Sequence, residues 1–250
     1  MRMNDISLNP LFGRAPQNWS KEIELDLPLW GKSQGLENSI ENLERFGASL
    51  GVKWDQVKWG QSASSSDLIA AEFSIPISHK QYPKLFIAVA MTKRGDEIQS
   101  IRIYHSLWPL KESHQVRPAL FSMEQRADVS PLVYDYHQAL TEGKTEGFQS
   151  LFRDGGSIRE PSGDSYIKGG SPAIRDFADA AFSDGGIQIQ YHTFVEEAGI
   201  CAAEYTCYKW GTQNIPPQAG MEFWEIDQHQ IASVRIYDDV AQPPKSDSLV

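Results

Sequence analysis

The feature that most constrains the fold is an internal repeat. Residues 98–107 read IQSIRIYHSL and residues 231–240 read IASVRIYDDV, and in both copies β-branched and aromatic residues alternate with polar ones, as in a strand. Tyr104 and Tyr237 hold the same place in the two copies and lie 133 residues apart in a chain of 250. This period predicts two domains of one fold in tandem, because solenoid repeats run only from about 20 to 50 residues.

The repeat extends upstream. Two similar segments, residues 35–40 (GLENSI) and residues 169–174 (GGSPAI), each open a helical stretch and are 134 residues apart. A carboxylate near a proline stands nine residues before each of these segments, Asp26 in the first and Glu160 in the second. We therefore expect Asp26 to be the counterpart of Glu160.

Net charge argues against several classes of partner. The formal net charge is −10, and no cluster of Lys and Arg alternates with aromatic residues, so we expect neither a nucleic-acid partner nor an anionic membrane. No apolar run approaches the roughly 18 residues of a membrane span, and the first residues lack the apolar core of a signal peptide. The expected location is the cytoplasm.

Metal and cofactor chemistry has no sequence support. Cys201 and Cys207 are six residues apart in one predicted strand, which separates them by roughly 20 Å and predicts two reduced thiols. The sequence has no CxxC, no HExxH and no glycine-rich phosphate loop, so we expect no metal and no cofactor.

The second half of the chain has the clearer pattern of elements. Residues 131–141 form a predicted helix that Gly143 ends as a left-handed cap, and a second short helix covers residues 145–152. A strand at residues 157–160 follows, and then a helix at residues 172–182 with Ser171 as its N-cap. Four strands complete the pattern, at residues 187–196, 199–210, 220–226 and 231–239.

This order predicts the α+β class: two tandem cone-shaped domains, each a curved, mostly antiparallel sheet wrapped around helices. The predicted domains are residues 1–118, which lack the opening helices, and residues 128–245, which are complete. The linker is expected within residues 111–129, which carry proline and charge without a clear period.

The run of residues 136–161, YHQALTEGKTEGFQSLFRDGGSIREP, resembles the opening of ketosteroid isomerases and of SnoaL-like polyketide cyclases. These families belong to the nuclear-transport-factor-like superfold, and the closing VRIYDDV is also similar to their ending. The resemblance covers residues 130–240 well and residues 20–110 more loosely. It implies the fold more strongly than the activity, because this superfold hosts many functions.

The resemblance implies roles for four residues. Glu160 matches the proton-shuttling base, and Tyr136 matches the tyrosine of the oxyanion hole. Glu222 matches that tyrosine's protonated carboxylic acid partner. Asp238 matches a position that lines the pocket in relatives and that can supply the base in SnoaL-like cyclases, so it is the reserve candidate.

Physical reasoning supports one of these roles directly. Glu222, Trp224 and Ile226 share one face of a predicted strand, and a carboxyl beside Trp224 inside a cone would be desolvated and kept neutral. A neutral acid and an ionisable base are the pair that proton transfer needs. The second domain is rich in aromatic residues, which suits an apolar pocket. We expect the substrate to contact Trp224, His192, Phe194, Tyr134, Phe152 and Trp210.

Three functions remain open at this point. The first is a cofactor-independent isomerase or cyclase acting on a hydrophobic small molecule such as a steroid-, polyketide- or terpenoid-like compound, with a dehydratase as its variant. The second is a protein that binds such a molecule without chemistry, and the third is a structural domain plugged by its own aromatic residues. The position matching Glu222 in the first repeat falls in the apolar residues 86–89, so that domain is expected to be structural. Its sheet is expected to pack on the second domain as in a pseudo-dimer, and the sequence leaves open whether the tandem chain forms a further homodimer.

Overall fold

The computed structural model describes residues 18–51, 57–77, 83–111, 113, 116–160 and 168–238. The chain divides into two compact units: the first ends at His105 and also takes in Val195–Ala198, and the second begins at Ser106. Each unit contains a six-stranded, mostly antiparallel sheet together with helices, so the predicted α+β class is confirmed. No helix among the described residues is long and apolar enough to cross a membrane.

The described residues of the first unit form seven elements: β1 (Trp19–Leu27), β2 (Gly31–Gln34), α1 (Leu36–Ser49), β3 (Lys58–Ser64), β4 (Leu68–Pro76), β5 (Lys84–Arg94) and β6 (Glu97–Tyr104). Its strands are ordered β2-β1-β6-β5-β4-β3, and β1 runs parallel to β6. The predicted lack of opening helices concerns residues 1–17, which lie outside the described residues.

The second unit contains α2 (Trp108–Lys111), α3 (Pro131–Glu142), α4 (Thr145–Ser150), β7 (Phe152–Arg159), β8 (Lys168–Gly169), α5 (Gly170–Ala181), β9 (Ile187–Glu197), β10 (Ile200–Trp210), β11 (Gln213–Asp227) and β12 (Gln230–Tyr237). Its strand order, β8-β7-β12-β11-β10-β9, repeats that of the first unit, and β7 runs parallel to β12. The helix between the second and third strands also recurs. The internal repeat of the sequence is therefore a repeat of one fold.

Helix α3 begins and ends as its sequence predicts. Pro131 occupies the first turn, where its missing N–H costs nothing, and Gly143 ends the helix in the left-handed conformation with φ 64°. The Gly143 N–H donates to the Ala139 carbonyl at 3.0 Å. The buried side of α3 carries Tyr136, which the helix thereby holds against the sheet.

Helix α5 begins before the predicted position. Its N-cap is Gly169, and Ser171 lies inside the helix, so the prediction of Ser171 as N-cap is wrong. The Ser171 hydroxyl instead receives a hydrogen bond from Gln149 Nε2 of α4. A serine engaged by a neighbouring helix is not available to cap its own.

The predicted linker region is partly docked on the second unit. Ala119 N–H donates to the Pro217 carbonyl at 3.0 Å, and Ala127 N–H donates to the Tyr191 carbonyl at 3.0 Å. Gln190 Nε2 donates to the Met123 carbonyl at 2.7 Å. Residues 116–127 therefore run along the second unit, while the predicted domain ends at residues 118 and 128 remain predictions.

Both cysteines are free and lie on one strand, β10, as predicted, and both are buried. They lie on the same side of the strand as Tyr205, within the hydrophobic core of the second unit. Burial raises the pKa of Cys207 to about 12, so this thiol stays protonated at physiological pH.

Candidate functional site

The strand register places the candidate acids on one side of the second sheet. We call this side the inner face and define it by Ile158, Val234 and Trp224, which are all completely buried. Along it Glu222 of β11 is paired with Ile236 of β12 and with Ala203 of β10. Glu160 directly follows β7, one residue beyond the pair Arg159–Arg235, and so continues this row beside Ile236.

The first unit has the same row with aliphatic residues in place of the acids. There Val89 is paired with Ile103 and with Ala71, as Glu222 is paired with Ile236 and Ala203. The row continues to Leu27, which stands where the second unit has Glu160. Isoleucine and alanine thus recur in both rows, whereas both carboxyl groups belong to the second unit.

This register corrects the expected match of Asp26 with Glu160. Asp26 is paired with Arg102, and its counterpart, Arg159, is paired with Arg235. The counterpart of Asp26 is therefore Arg159. A shift of one residue moves a side chain to the other face of a sheet, so Asp26 does not occupy the Glu160 position.

Glu222 is held between two tyrosines. The Tyr136 hydroxyl donates to Glu222 Oε1 at 3.2 Å, and the Tyr191 hydroxyl donates to Glu222 Oε2 at 3.1 Å. The carboxyl is 3% exposed, and the tyrosines are 1% and 4% exposed. The Trp224 ring meets both phenol rings edge to face, with centroids 5.8 Å apart in each pair. Helix α3 and strands β9 and β11 thus bring three side chains together that are distant in sequence.

Burial controls the charges of this cluster. It raises the pKa of Glu222 to about 8, helped by the nearby charge of Asp238, although the two phenol hydrogen bonds lower it. Burial also raises the pKa of Tyr136 and of Tyr191 well above 10, and the proximity of Glu222 raises both further. Near pH 7 all three groups are therefore mainly protonated.

The number of protons decides what the cluster can donate. With Glu222 protonated, three acidic hydrogens are shared by three groups that are joined by two hydrogen bonds. One hydrogen therefore remains for an incoming oxygen. An ionised Glu222 would accept a hydrogen bond from each phenol, and no acidic hydrogen would then remain for an incoming oxygen.

A second pair lies beside this cluster. The Tyr205 hydroxyl donates to Asp238 Oδ2. Tyr205 is paired with Gly220, and Asp238 follows Tyr237, whose partner is Met221, so the row runs Tyr205, Gly220, Asp238. The pKa of Tyr205 is raised well above 10, by burial first and then by Asp238. The phenol is thus a neutral donor to this carboxyl.

The remaining predicted contact residues are dispersed. Phe152 is buried and lies 5.3 Å from the Phe148 ring, between centroids. Phe194 and Trp210 are half-buried against the same core, and Trp210 Nε1 donates to the Ala181 carbonyl at 3.2 Å. Tyr134 is 53% exposed and, two residues from Tyr136 on α3, points away from the core. Of this set, Trp224 is the residue whose ring is seen against both tyrosines of the Glu222 cluster.

His192 lies on the opposite face of β9 from Tyr191. Its Nδ1 is 2.7 Å from the Gln125 carbonyl, and its Nε2 is 2.7 Å from Thr206 Oγ1. The ring stacks on Phe121 with centroids 5.0 Å apart, and burial lowers its pKa. Its partners therefore hold His192 as a neutral structural group on the far side of the sheet.

Sequence reasoning did not assign roles to Tyr191, Tyr205 and Gly220. Each belongs to a strand whose pairing fixes its partner, and pairing cannot be read from one sequence. A usable signal was present in β10, where Tyr205 interrupts the small residues Cys201, Ala203 and Cys207 on one face. A large polar aromatic among small neighbours needs a partner for its hydroxyl.

No group of three or more His, Cys, Asp or Glu side chains in the described ranges has the geometry of a metal site. The donor set around Glu222 consists of a protonated acid and phenols, which suits oxygen ligands of organic molecules better than a cation.

Comparison with known proteins gives similarity to solved structures alone. No family model matches the chain, and no curated protein does. A Sinorhizobium meliloti protein, provisionally assigned as a polyketide cyclase, is 16% identical over 44% of this chain and 95% of its own, with a TM-score of 0.38. A Kribbella flavida protein, provisionally assigned as a ketosteroid isomerase, is 17% identical over 48% of this chain and 84% of its own, with a TM-score of 0.36. An epoxide hydrolase from M. tuberculosis is 14% identical over 43% of this chain and 80% of its own, with a TM-score of 0.37.

Proposed function

We propose that the second unit is a cofactor-independent enzyme that moves a proton next to a carbonyl group of a hydrophobic small molecule. The observation that carries this proposal is the buried Glu222, joined to Tyr136 and Tyr191, with a pKa of about 8. At neutral pH this cluster offers one hydrogen to a substrate oxygen. Donors fixed in advance in a dry site stabilise charge that develops on that oxygen.

The reaction needs only a base and this donor. A carboxylate removes the proton from the carbon next to the carbonyl, and the C–H electron pair forms the carbon–carbon double bond of an enolate. The negative charge moves to the oxygen that the Glu222 cluster binds. Return of the proton to another carbon completes an isomerisation. Alternatively, attack of the enolate carbon on a second carbonyl group closes a ring, and the new alkoxide oxygen takes up the proton that the base removed.

Asp238 is the base that we propose, with Glu160 as the alternative. Asp238 is a diagonal neighbour of Glu222 on the adjacent strand, and such neighbours are about 7–8 Å apart. Glu160 lies two strands away, which is about 9.5 Å. The charge of Asp238 also raises the pKa of Glu222 and of Tyr136, as a group close to both would do.

The surroundings favour an apolar substrate. Phe148, Phe152, Trp224 and Val234 belong to the hydrophobic cluster that surrounds the tyrosines. A steroid-, polyketide- or terpenoid-like compound with a carbonyl group combines the apolar area and the single oxygen anchor that this arrangement offers.

The test uses the ring opening of 5-nitrobenzisoxazole, because removal of one proton by a base breaks the N–O bond and releases a coloured phenolate. We expect Asp238→Asn to lower kcat/KM about 100-fold, as for loss of a general base. Tyr136→Phe should lower it about tenfold or more through loss of a donor to the new oxyanion. The control is Glu225→Gln, a half-exposed carboxyl of the same strand as Glu222, which should leave the rate unchanged.

The same assay separates the two bases and tests the proposal as a whole. A larger loss in Glu160→Gln than in Asp238→Asn would make Glu160 the base. A wild-type rate no higher than that of the Asp238→Asn, Glu160→Gln double variant would contradict an enzyme. Binding of the probe without turnover would then indicate a ligand-binding protein.

A further inference from the structure

The contact between Tyr205 and Asp238 crosses a glycine. Tyr205 on β10 and Asp238 after β12 flank β11, and the residue between them is Gly220. The Tyr205 side chain lies across this strand, and its hydroxyl donates to Asp238 Oδ2 on the far side. A hydrogen bond of this reach spans two strand spacings, which total about 9.5 Å.

Glycine is required at the crossing point. A methyl group built on Gly220 would overlap the phenol ring and lie 2.7 Å from Tyr205 Cε2. Real methyl groups do not approach a ring so closely, so any side chain at position 220 would displace Tyr205. Since Gly220 has no positive φ that would demand glycine, close approach is the reason for the residue.

The first unit has a different residue type at each of the three positions that correspond to Tyr205, Gly220 and Asp238. In its equivalent row Phe73 replaces the tyrosine and is paired with Ile87, which replaces the glycine. The row ends at His105, which follows β6 as Asp238 follows β12. The tyrosine, the glycine and the aspartate are thus associated with the unit that contains Glu222.

We propose that Tyr205 is a positioning residue that holds Asp238 in one orientation on the inner face, and that Gly220 is the residue that permits it. The catalytic meaning of this inference rests on the proposed function, in which Asp238 is the base. Asp238 follows the last residue of its strand and is half-buried, whereas Tyr205 is 3% exposed and lies within a strand and the hydrophobic core. The group enclosed by the core therefore orients the one at the strand end.

Orientation matters because a base must meet the C–H bond along a narrow range of directions. Misplacement by about 1 Å can cost roughly 100-fold in rate. The Tyr205 hydroxyl also stabilises the ionised carboxylate, since a hydrogen bond to the charged form favours that form.

The test is a double-variant cycle in the ring opening of 5-nitrobenzisoxazole. Tyr205→Phe keeps the ring and removes the hydroxyl, and we expect it to lower kcat between about tenfold and 100-fold with a smaller change in KM. In the Asp238→Asn background the same change should have no further effect, because Tyr205 acts only through Asp238. An equal loss in both backgrounds, or no loss in wild type, would overturn the inference.

Gly220→Ala provides a second, geometric arm. This variant should lower kcat as much as Tyr205→Phe does. In a Tyr205→Ala background it should lower kcat no further, because the ring that the added methyl group would overlap is absent. A further loss in that background would show that Gly220 serves the strand rather than Tyr205, and would overturn its part in the inference.

A spectroscopic readout separates this inference from the proposed function. The buried Tyr205 hydroxyl should give a downfield proton resonance in solution NMR that disappears in both Tyr205→Phe and Asp238→Asn. If wild type does not open the probe, the proposed function fails while this resonance still establishes the holding contact. A resonance absent from wild type, or unchanged in Asp238→Asn, would overturn the contact itself.

Discussion

Glu222 illustrates how one residue can favour function at the expense of stability. An ionised carboxyl at 3% exposure would lose its hydration, and two phenol hydrogens replace only part of it. The group therefore keeps its proton up to about pH 8. Neutral Glu222 is what leaves one hydrogen of the cluster for a ligand oxygen.

The raised pKa predicts a dependence of stability on pH. The pKa of Glu222 is about 8 in the folded protein against 4.5 for an ordinary glutamate, so between these values the folded state holds a proton that the unfolded state has lost. The contribution of this group to stability is full below pH 4.5, falls as the pH rises and is lost above about pH 8.

Glu222→Gln should remove this dependence. We expect the free energy of unfolding of the variant, relative to wild type, to rise with pH by up to about 1.4 kcal/mol per unit between pH 5 and pH 8. Urea denaturation at several pH values measures it, with Glu225→Gln as the control that should show no such trend. A constant difference between Glu222→Gln and wild type would mean that Glu222 is ionised throughout.

Sequence reasoning found part of this site for a physical reason. The resemblance to ketosteroid isomerases points to Tyr136 and Glu222, and the periods of their segments, a helix and a strand, place each of them on one face. Tyr191 and Tyr205 could not be placed, because their partners depend on which strands are neighbours and in what register. The one-residue error at Asp26 has the same origin, since similarity of short segments does not fix register.

Among the elements, the best predicted features are those with local causes. Gly143 ends α3 in the left-handed conformation, and the end of β12 carries the repeated RIY segment, as the sequence indicates. Strand β11 is longer than predicted because Pro216 and Pro217 fall where its pairing with β10 is irregular, between Gln218 and Asn214. Prolines that would interrupt a regular strand are accommodated at such a bulge.

Gly143 also packs closely, which gives an element-scale prediction. Its φ is 64°, and a methyl group there would lie 2.6 Å from Gly186 N. Gly143→Ala should therefore lower the free energy of unfolding by about 2 kcal/mol or more, from left-handed strain and overlap together.

The matched control is Gly147→Ala in α4, where an added methyl group would meet nothing within 4 Å. It should be neutral or stabilise by up to about 1 kcal/mol. Equal unfolding energies for the two variants, measured in urea, would show that the α3 end does not constrain the fold.

For the whole molecule, one fold occurs twice with different inner faces. Both units have the same strand order, yet Val89 and Phe73 stand in the first unit where Glu222 and Tyr205 stand in the second. At these positions the first unit thus has apolar side chains, whereas the second has a polar cluster. A structural role for the first unit stays a prediction, and this asymmetry is the feature on which it can be tested.

Val89→Ala tests this division. Val89 is completely buried, so the variant should lose about 2 kcal/mol of stability, as large-to-small core changes do. Turnover of 5-nitrobenzisoxazole by the folded variant should equal that of wild type, in contrast to Glu222→Ala. A loss of turnover as large as that of Glu222→Ala, at a temperature where both are folded, would show that the first unit takes part in the reaction.

The most direct measurement of the central claim is the binding of a series of phenols, which mimic an enolate oxygen, to wild type and to Tyr136→Phe and Tyr191→Phe. We expect phenols to bind below about pH 8, with an affinity that rises with phenol acidity, and we expect each variant to weaken binding about tenfold or more. Absence of binding to wild type at any pH would mean that the Glu222 cluster is sealed in the core, and would contradict a donor site for a substrate oxygen.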